Sequence, residues 1–318
     1  MSQQETNDKP TGDSGGEDRG FELKKKRRWP IFAGIAVVVL AVAGFAFARS
    51  GDDKSGKYQD KSEPITVSTF EANVAEVALI EWIDENIAPK YGIDLEFRGI
   101  SDSTQLNRAV SEGEVGGTIY QHKDWLEQVL DANPDFNEEA ATQVFRWAFG
   151  IWSTKHDSVE DIPEGGTITL PSDPANEAHA LVALEAAGLI KLDPDVEPSK
   201  ATQDDIVENP KNLKFELLEY TAQARTLDDV DAAAGYNEVF VIAEVAPEHE
   251  IFRSPTPDAF IGVLTIGSDF KDTPGIKALV EAFSDPEIQN YLENEQNDLP
   301  YKLLPLETAD GTEPGTES

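Results

Sequence analysis

The sequence predicts an α/β protein of two lobes, preceded by one N-terminal transmembrane helix. Three observations carry that expectation. From residue 64 onward, short β-branched runs alternate with segments of helical apolar spacing. The same alternation starts again after residue 150, and a charge-free stretch at 29–48 follows a basic block. With 318 residues, the chain is long enough for two ordinary domains with buried cores. Its 39% hydrophobic content and 15 Phe exclude a wholly disordered chain, despite a net charge of −35.

Taken in order, residues 1–28 read as a disordered cytoplasmic tail ending in Lys24, Lys25, Lys26, Arg27 and Arg28. At 1.5 Å per residue, the segment 29–48 spans about 30 Å, one hydrocarbon core. The basic flank orients the tail inward and the rest of the chain outward, as a single-pass protein of the cell membrane. Ala46-Phe47-Ala48 also fits a small-x-small cleavage pattern, so a removed signal peptide stays open beside the anchor. Residues 49–63 read as a flexible linker.

Ile65-Thr66-Val67-Ser68-Thr69 predicts a strand, residues 74–91 a helix stopped by Pro89 and Gly92, and 95–97 a second strand. A helix at 103–112 and a strand at 115–120 complete a β-α-β-α-β run, hence a mostly parallel sheet. Residues 143–153 predict one aromatic-rich strand between the lobes. Further strands are expected at 167–170, 213–218, 232–236 and 260–266, with helices at 175–187, 274–283 and 286–295. Asp173 suits the N-cap of the first of these and Pro174 its first turn, with Gly188 as the stop. Lobe I is assigned to 64–150 and 244–306, lobe II to 151–243, and 307–318 to an acidic tail.

Composition excludes several functions. A chain this acidic is repelled by phosphate backbones, so nucleic acid is not a partner. Zero cysteines remove disulfides, thiolate metal sites and a cysteine nucleophile. Four scattered His make no zinc site. No phosphate loop or nucleophile elbow is present, and pairs such as Asp228-Asp229 read as solvated faces. The chain is therefore expected to be neither an enzyme nor a holder of a cofactor.

Several stretches resemble the methionine-binding proteins of ABC importers, the MetQ/NlpA lipoprotein family. They are Tyr120-Gln121-His122 with Trp125-Leu126-Glu127, Leu170-Pro171-Ser172-Asp173-Pro174-Ala175-Asn176-Glu177-Ala178, the run from Asp205 to Phe215, and Leu227-Asp228-Asp229-Val230-Asp231-Ala232-Ala233. The resemblance covers residues 65 to 295 in order. It implies a two-lobed periplasmic-binding-protein fold, type II-like, that closes as a monomer over a small molecule, an amino acid such as methionine. It also implies a permease and its ATPase as partners. Family members are held by a lipid on an N-terminal Cys, whose task residues 29–48 would take here. A different small solute suited to an Arg-less, aromatic-rich cleft, or a surface scaffold or sensor outside transport, are the alternatives.

The residues expected at the ligand are Phe70, Tyr120, His122, Trp147, Phe149, His179, Tyr236 and Asn237. Tyr120 and His122 match pocket residues of the family; the alternative is lobe-interface packing for Tyr120 and a surface or strand-end position for His122. Packing is also the alternative for the aromatic residues of 143–153. His179 stands where the family has an Arg that pairs with the ligand carboxylate, on a helix end expected to face the cleft. Tyr236 stands where the family has an Asn that contacts the ligand amino group, with Asn237 one step along and on the opposite strand face.

Overall fold

The structure, a computed structural model, describes residues 56–306. The tails, the segment 29–48 and the linker up to residue 55 lie outside those residues. Among the described residues no helix is long and apolar enough to cross a membrane.

The chain runs through β1 (Ile65–Thr69), α1 (Val74–Asn86), α2 (Ala88–Tyr91), β2 (Leu95–Gly99), α3 (Ser103–Ser111), β3 (Gly117–His122), α4 (Lys123–Ala132) and β4 (Glu138–Arg146). It continues through β5 (Phe149–Trp152), β6 (Thr167–Pro171), α5 (Pro174–Ala186), β7 (Lys191–Leu192), β8 (Ile206–Glu208), β9 (Lys214–Leu218), β10 (Ala232–Tyr236) and α6 (Asn237–Ile242). It ends with β11 (Glu250–Ser254), β12 (Ile261–Gly267), α7 (Pro274–Phe283) and α8 (Glu287–Asn294).

Ten of these strands form two five-stranded sheets, and β7 pairs antiparallel with β8 in a small third one. Of the larger two, one has the order β2-β1-β3-β12-β4 and the other β11-β5-β10-β6-β9. In the first sheet β1 runs parallel to β2 and β3, while β12 is antiparallel to both β3 and β4. In the second, β6 runs parallel to β9 and β10, and β5 is antiparallel to β10 and β11. The edge strands β2 and β9 are partly exposed, while the inner strands β3, β12, β5 and β10 are buried from end to end. Continuous apolar runs, rather than alternation, are what such strands require.

Local chemistry explains the helix ends. The Asp173 side chain accepts from the Asn176 N–H at 2.9 Å, and Pro174 occupies the first turn of α5. The expected helix over 74–91 is two helices. α1 stops at Asn86, and α2 carries Pro89, which has no N–H to continue the ladder, before Gly92 turns left-handed at φ 70°. The single strand expected at 143–153 is also two. Trp147 and Ala148 separate β4 of the first sheet from β5 of the second, so the chain changes sheets in the middle of the aromatic run. It returns between Ser254 and Ile261, later than the expected residue 244, because β11 pairs with β5.

Candidate functional site

Six parallel strands end at one cleft. Phe70 follows β1, and Ser101, Asp102 and Ser103 follow β2, while Tyr120, Gln121 and His122 close β3. From the second sheet, Ser172 and Asp173 follow β6, Glu219 and Tyr220 follow β9, and Tyr236 closes β10. Carboxyl ends of parallel strands are where open α/β sheets bind ligands, because loops and helix starts converge there. The cleft encloses about 1130 Å³.

The wall from the first sheet is polar and tightly tied. Phe70 packs edge-on against Tyr120, with ring centres 5.0 Å apart. The Tyr120 hydroxyl accepts from the Asn107 amide and, at 3.4 Å, from the Trp125 indole. Gln121 donates to Asn107 at 2.8 Å and to Thr265 at 3.1 Å. His122 caps α4 by accepting from the Trp125 N–H at 3.4 Å through Nδ1. Its Nε2 lies 3.3 Å from Asn176 Oδ1, so the network assigns the proton to Nε2. Burial pushes the imidazole down to about 4, and His122 is neutral.

The opposite wall meets it at Asn176. The Tyr236 hydroxyl donates to Asn176 Oδ1 at 2.6 Å, and the Asn176 amide donates to Asp173 at 3.1 Å. One amide oxygen thus joins a strand end of the first sheet to a strand end of the second. Below it, Glu76 is completely buried and accepts from Trp147 at 2.8 Å, Tyr301 at 2.9 Å and Asn73 at 3.1 Å. Burial raises its carboxyl all the same.

Of the eight residues expected at the ligand, Phe70, Tyr120, His122, Trp147 and Tyr236 line the cleft. Phe149, His179 and Asn237 do not. His179 is fully buried behind the wall, its ring 4.0 Å from Phe260 in a parallel stack and 4.0 Å from Phe149 on the other side. Its Nδ1 is 3.4 Å from the Tyr236 hydroxyl, whose proton goes to Asn176, so Nδ1 is the donor. Nε2 has no partner among the described residues. Burial holds His179 well below the ordinary histidine range, so it presents no charge to a carboxylate. Phe149 is likewise fully buried as one face of that stack. Asn237 opens α6 and donates its backbone N–H to Ala148, while the cleft receives its neighbours Tyr236 and Glu238. β10 ends at Tyr236 and α6 begins at Asn237, so the chain turns at this point beside the cleft.

Sequence reading missed Asn176, Glu238, Glu219 and Arg225, all of which line the cleft. Arg225 corrects the expectation of an Arg-less cleft. It is exposed at the cleft, on the 3-10 turn Tyr220–Thr226. The residues just beyond each predicted strand were the signal that would have found Glu219 and Asp173. Glu238, two residues past the strand expected at 232–236, carries the same mark, whereas Arg225 does not, because it reaches the cleft only through the turn after β9.

Comparison with known proteins agrees with this architecture. Residues 65–302 match the family described as NlpA lipoprotein. The probable D-methionine-binding lipoprotein MetQ of Pasteurella multocida is 31% identical over 80% of this chain and 92% of its own length. The methionine-binding lipoprotein MetQ of Bacillus subtilis is 30% identical over 83% of this chain and 94% of its own. Among solved structures, a putative methionine-binding lipoprotein from Bacillus subtilis superposes with a TM-score of 0.67 at 28% identity, covering 76% of this chain and 98% of that one. A nutrient-binding protein from Burkholderia cenocepacia bound to methionine gives 0.62 at 28% identity, over 72% of this chain and 95% of that one. A two-sheet α/β domain with one cleft at its strand ends, matched along nearly the whole of the described region, places the chain in the NlpA lipoprotein family.

Proposed function

We propose that the chain is the extracytoplasmic solute-binding component of an ABC importer, with methionine or a related amino acid as its solute. The observation that carries this reading is the convergence of all six parallel strand ends, three from each sheet, on one aromatic-rich cleft. The relatives named for methionine, and the neighbour bound to it, supply the ligand class. Binding is non-covalent, and the two sheets act as lobes that close over the solute, with hinges at residues 146–149 and 254–261 where the chain changes sheets. The closed, loaded monomer is what a permease and its ATPase receive.

The sequence holds no cysteine to carry the lipid that the relatives' names imply. In this reading the segment 29–48 stays in the chain as a single membrane anchor and keeps the binding domain near its permease. Mass spectrometry of solute released from the full chain, purified under native conditions, tests the ligand, and recovery of an amino acid is the expected result. N-terminal sequencing that begins at Arg49, with the protein found in the medium, would remove the anchor.

A further inference from the structure

The cleft is unevenly charged. Glu71, Asp102, Asp173, Glu219 and Glu238 line it, against Arg225 as its one Lys or Arg. Most of these carboxylates are solvated or engaged; Asp173, for instance, caps α5. Glu238 is different. It is 8% exposed, lines the cleft, and among the described residues its carboxyl has no hydrogen-bond partner beyond its own backbone N–H. Its nearest ionisable neighbours are of the wrong kind to compensate it. Glu76 repels it, and its charge is felt by Tyr220, Tyr236 and Tyr301, none of which is a cation. Asp173 adds negative potential on the same tyrosines. A buried carboxyl without a donor is costly to ionise, and the site lacks only the positive charge that would compensate it.

The shape around Glu238 is aromatic. Trp147, Tyr220 and Tyr236 share the cleft with it, and Trp147 and Tyr236 meet edge to face with centres 6.0 Å apart. Aromatic faces beside a carboxyl attract ammonium groups through the ring quadrupole. A ligand carboxylate has no buried cation to meet in the cleft, since His122 is neutral and Arg225, the one Lys or Arg lining it, is exposed.

We infer that the cleft recognises its ligand by a cationic nitrogen: the ligand is a small organic ammonium with an apolar body, its charge against Glu238 and its flanks against the Trp147 and Tyr236 rings, and a free carboxylate is not required. The inference rests on the solute-binding reading and narrows it to the end of the solute that is read. It also gives binding a proton. In the empty cleft, burial and Glu76 keep Glu238 protonated well above the ordinary carboxylate range, whereas Glu76, with three donors, is the member of the pair that ionises first. An arriving cation displaces the Glu238 proton, so affinity for a cation rises with pH while the ligand amine stays charged, from about pH 5 to about pH 7.

Calorimetry on the full chain with L-methionine, L-methioninamide and N-acetyl-L-methionine tests this. Methioninamide keeps the ammonium and loses the carboxylate, and N-acetylmethionine does the reverse. The expected order is methioninamide equal to or tighter than methionine, with N-acetylmethionine at least about tenfold weaker. Glu238→Gln, which keeps the volume of the protonated carboxyl, should weaken methioninamide by about tenfold to a hundredfold without lowering the melting temperature. Glu238→Asp should recover part of that loss, and the pH trend should vanish in the Gln variant. Binding of N-acetylmethionine as tight as that of methionine, with methioninamide lost, overturns the inference and leaves the solute-binding reading standing. Failure of all three to bind overturns the amino-acid reading on which it rests.

Discussion

His122 and His179 stand on opposite walls of the same cleft, each within reach of Phe260, and they do opposite things. Phe260 meets His122 edge-on at 5.4 Å and stacks flat on His179 at 4.0 Å. His122 has polar work at both nitrogens: it caps α4 and faces Asn176. His179 uses one nitrogen and leaves the other orphaned between two phenyl rings. Both are neutral because both are buried, yet one lines the cleft and the other is part of the wall's packing. A histidine at a motif position therefore says little until its neighbours are known, because an imidazole serves equally as a polar hub and as a flat ring.

The largest expected effect breaks that contrast directly. Placing a guanidinium between Phe149 and Phe260 buries an uncompensated charge, so His179→Arg should destabilise the domain by about 3–5 kcal/mol in urea titrations. An unchanged midpoint would mean that position 179 opens to the cleft after all. His179→Phe should keep the stack and retain the fold, and it should also expose the titration. A histidine depressed on folding binds its proton only when unfolded. Wild-type stability therefore falls relative to the Phe variant as pH drops below about 6.5, by about 1.4 kcal/mol per pH unit.

A second orphan, outside the cleft, sharpens the same point with opposite sign. Glu138 in β4 is 6% exposed, neither carboxyl oxygen has a partner among the described residues, and burial pushes it up to about 8. A carboxyl raised on folding is favourable below its unfolded value and loses that advantage as pH rises. Glu138→Gln should therefore stabilise the domain by about 2–3 kcal/mol at pH 7, and the gain should shrink toward pH 4.5. Paired thermal melts at the two pH values check it, and an equal gain at both would remove the titration as its cause.

Smaller effects fall on the polar wall. His122→Ala removes the α4 cap and one neighbour of Asn176, for a stability loss of about 1 kcal/mol. Solute affinity should fall along with it; an affinity that stays put would assign His122 to packing alone. Smallest is the ion pair of Lys200 with Asp124, 2.7 Å apart and half-exposed on the lysine side, which joins α4 to the turn after β7. Lys200→Met should cost less than about 1 kcal/mol, and raising the salt concentration should erase the difference.

Much of the fold was legible in residue patterns. β10 and α7 fall where apolar runs and Pro274 put them, and Asp173 caps α5 as its residue type suggests. These are local matters of dihedral preference, capping and hydrophobic period, all of which are written in neighbouring residues. The break between β4 and β5 was not legible, because nothing in the aromatic run distinguishes one sheet from the other. Strands β7, β8 and β11 are short or polar, and pairing across space, rather than apolar content, makes them strands.

For the cleft, residue order alone supplies the parts: aromatic residues and histidines on strand ends, an excess of carboxylates, and the succession of helices and strands. Tertiary structure alone decided which parts face the ligand. Asn176 joins the two walls only because β3 and β10 end opposite each other, and Glu238 reaches the cleft only because β10 ends there. Whether His179 reads a ligand or packs a core depended on Phe149 and Phe260, 30 residues before it and 81 after it. Burial, and with it the charge of every ionisable group here, is a property of such distant neighbours, and no local pattern encodes it.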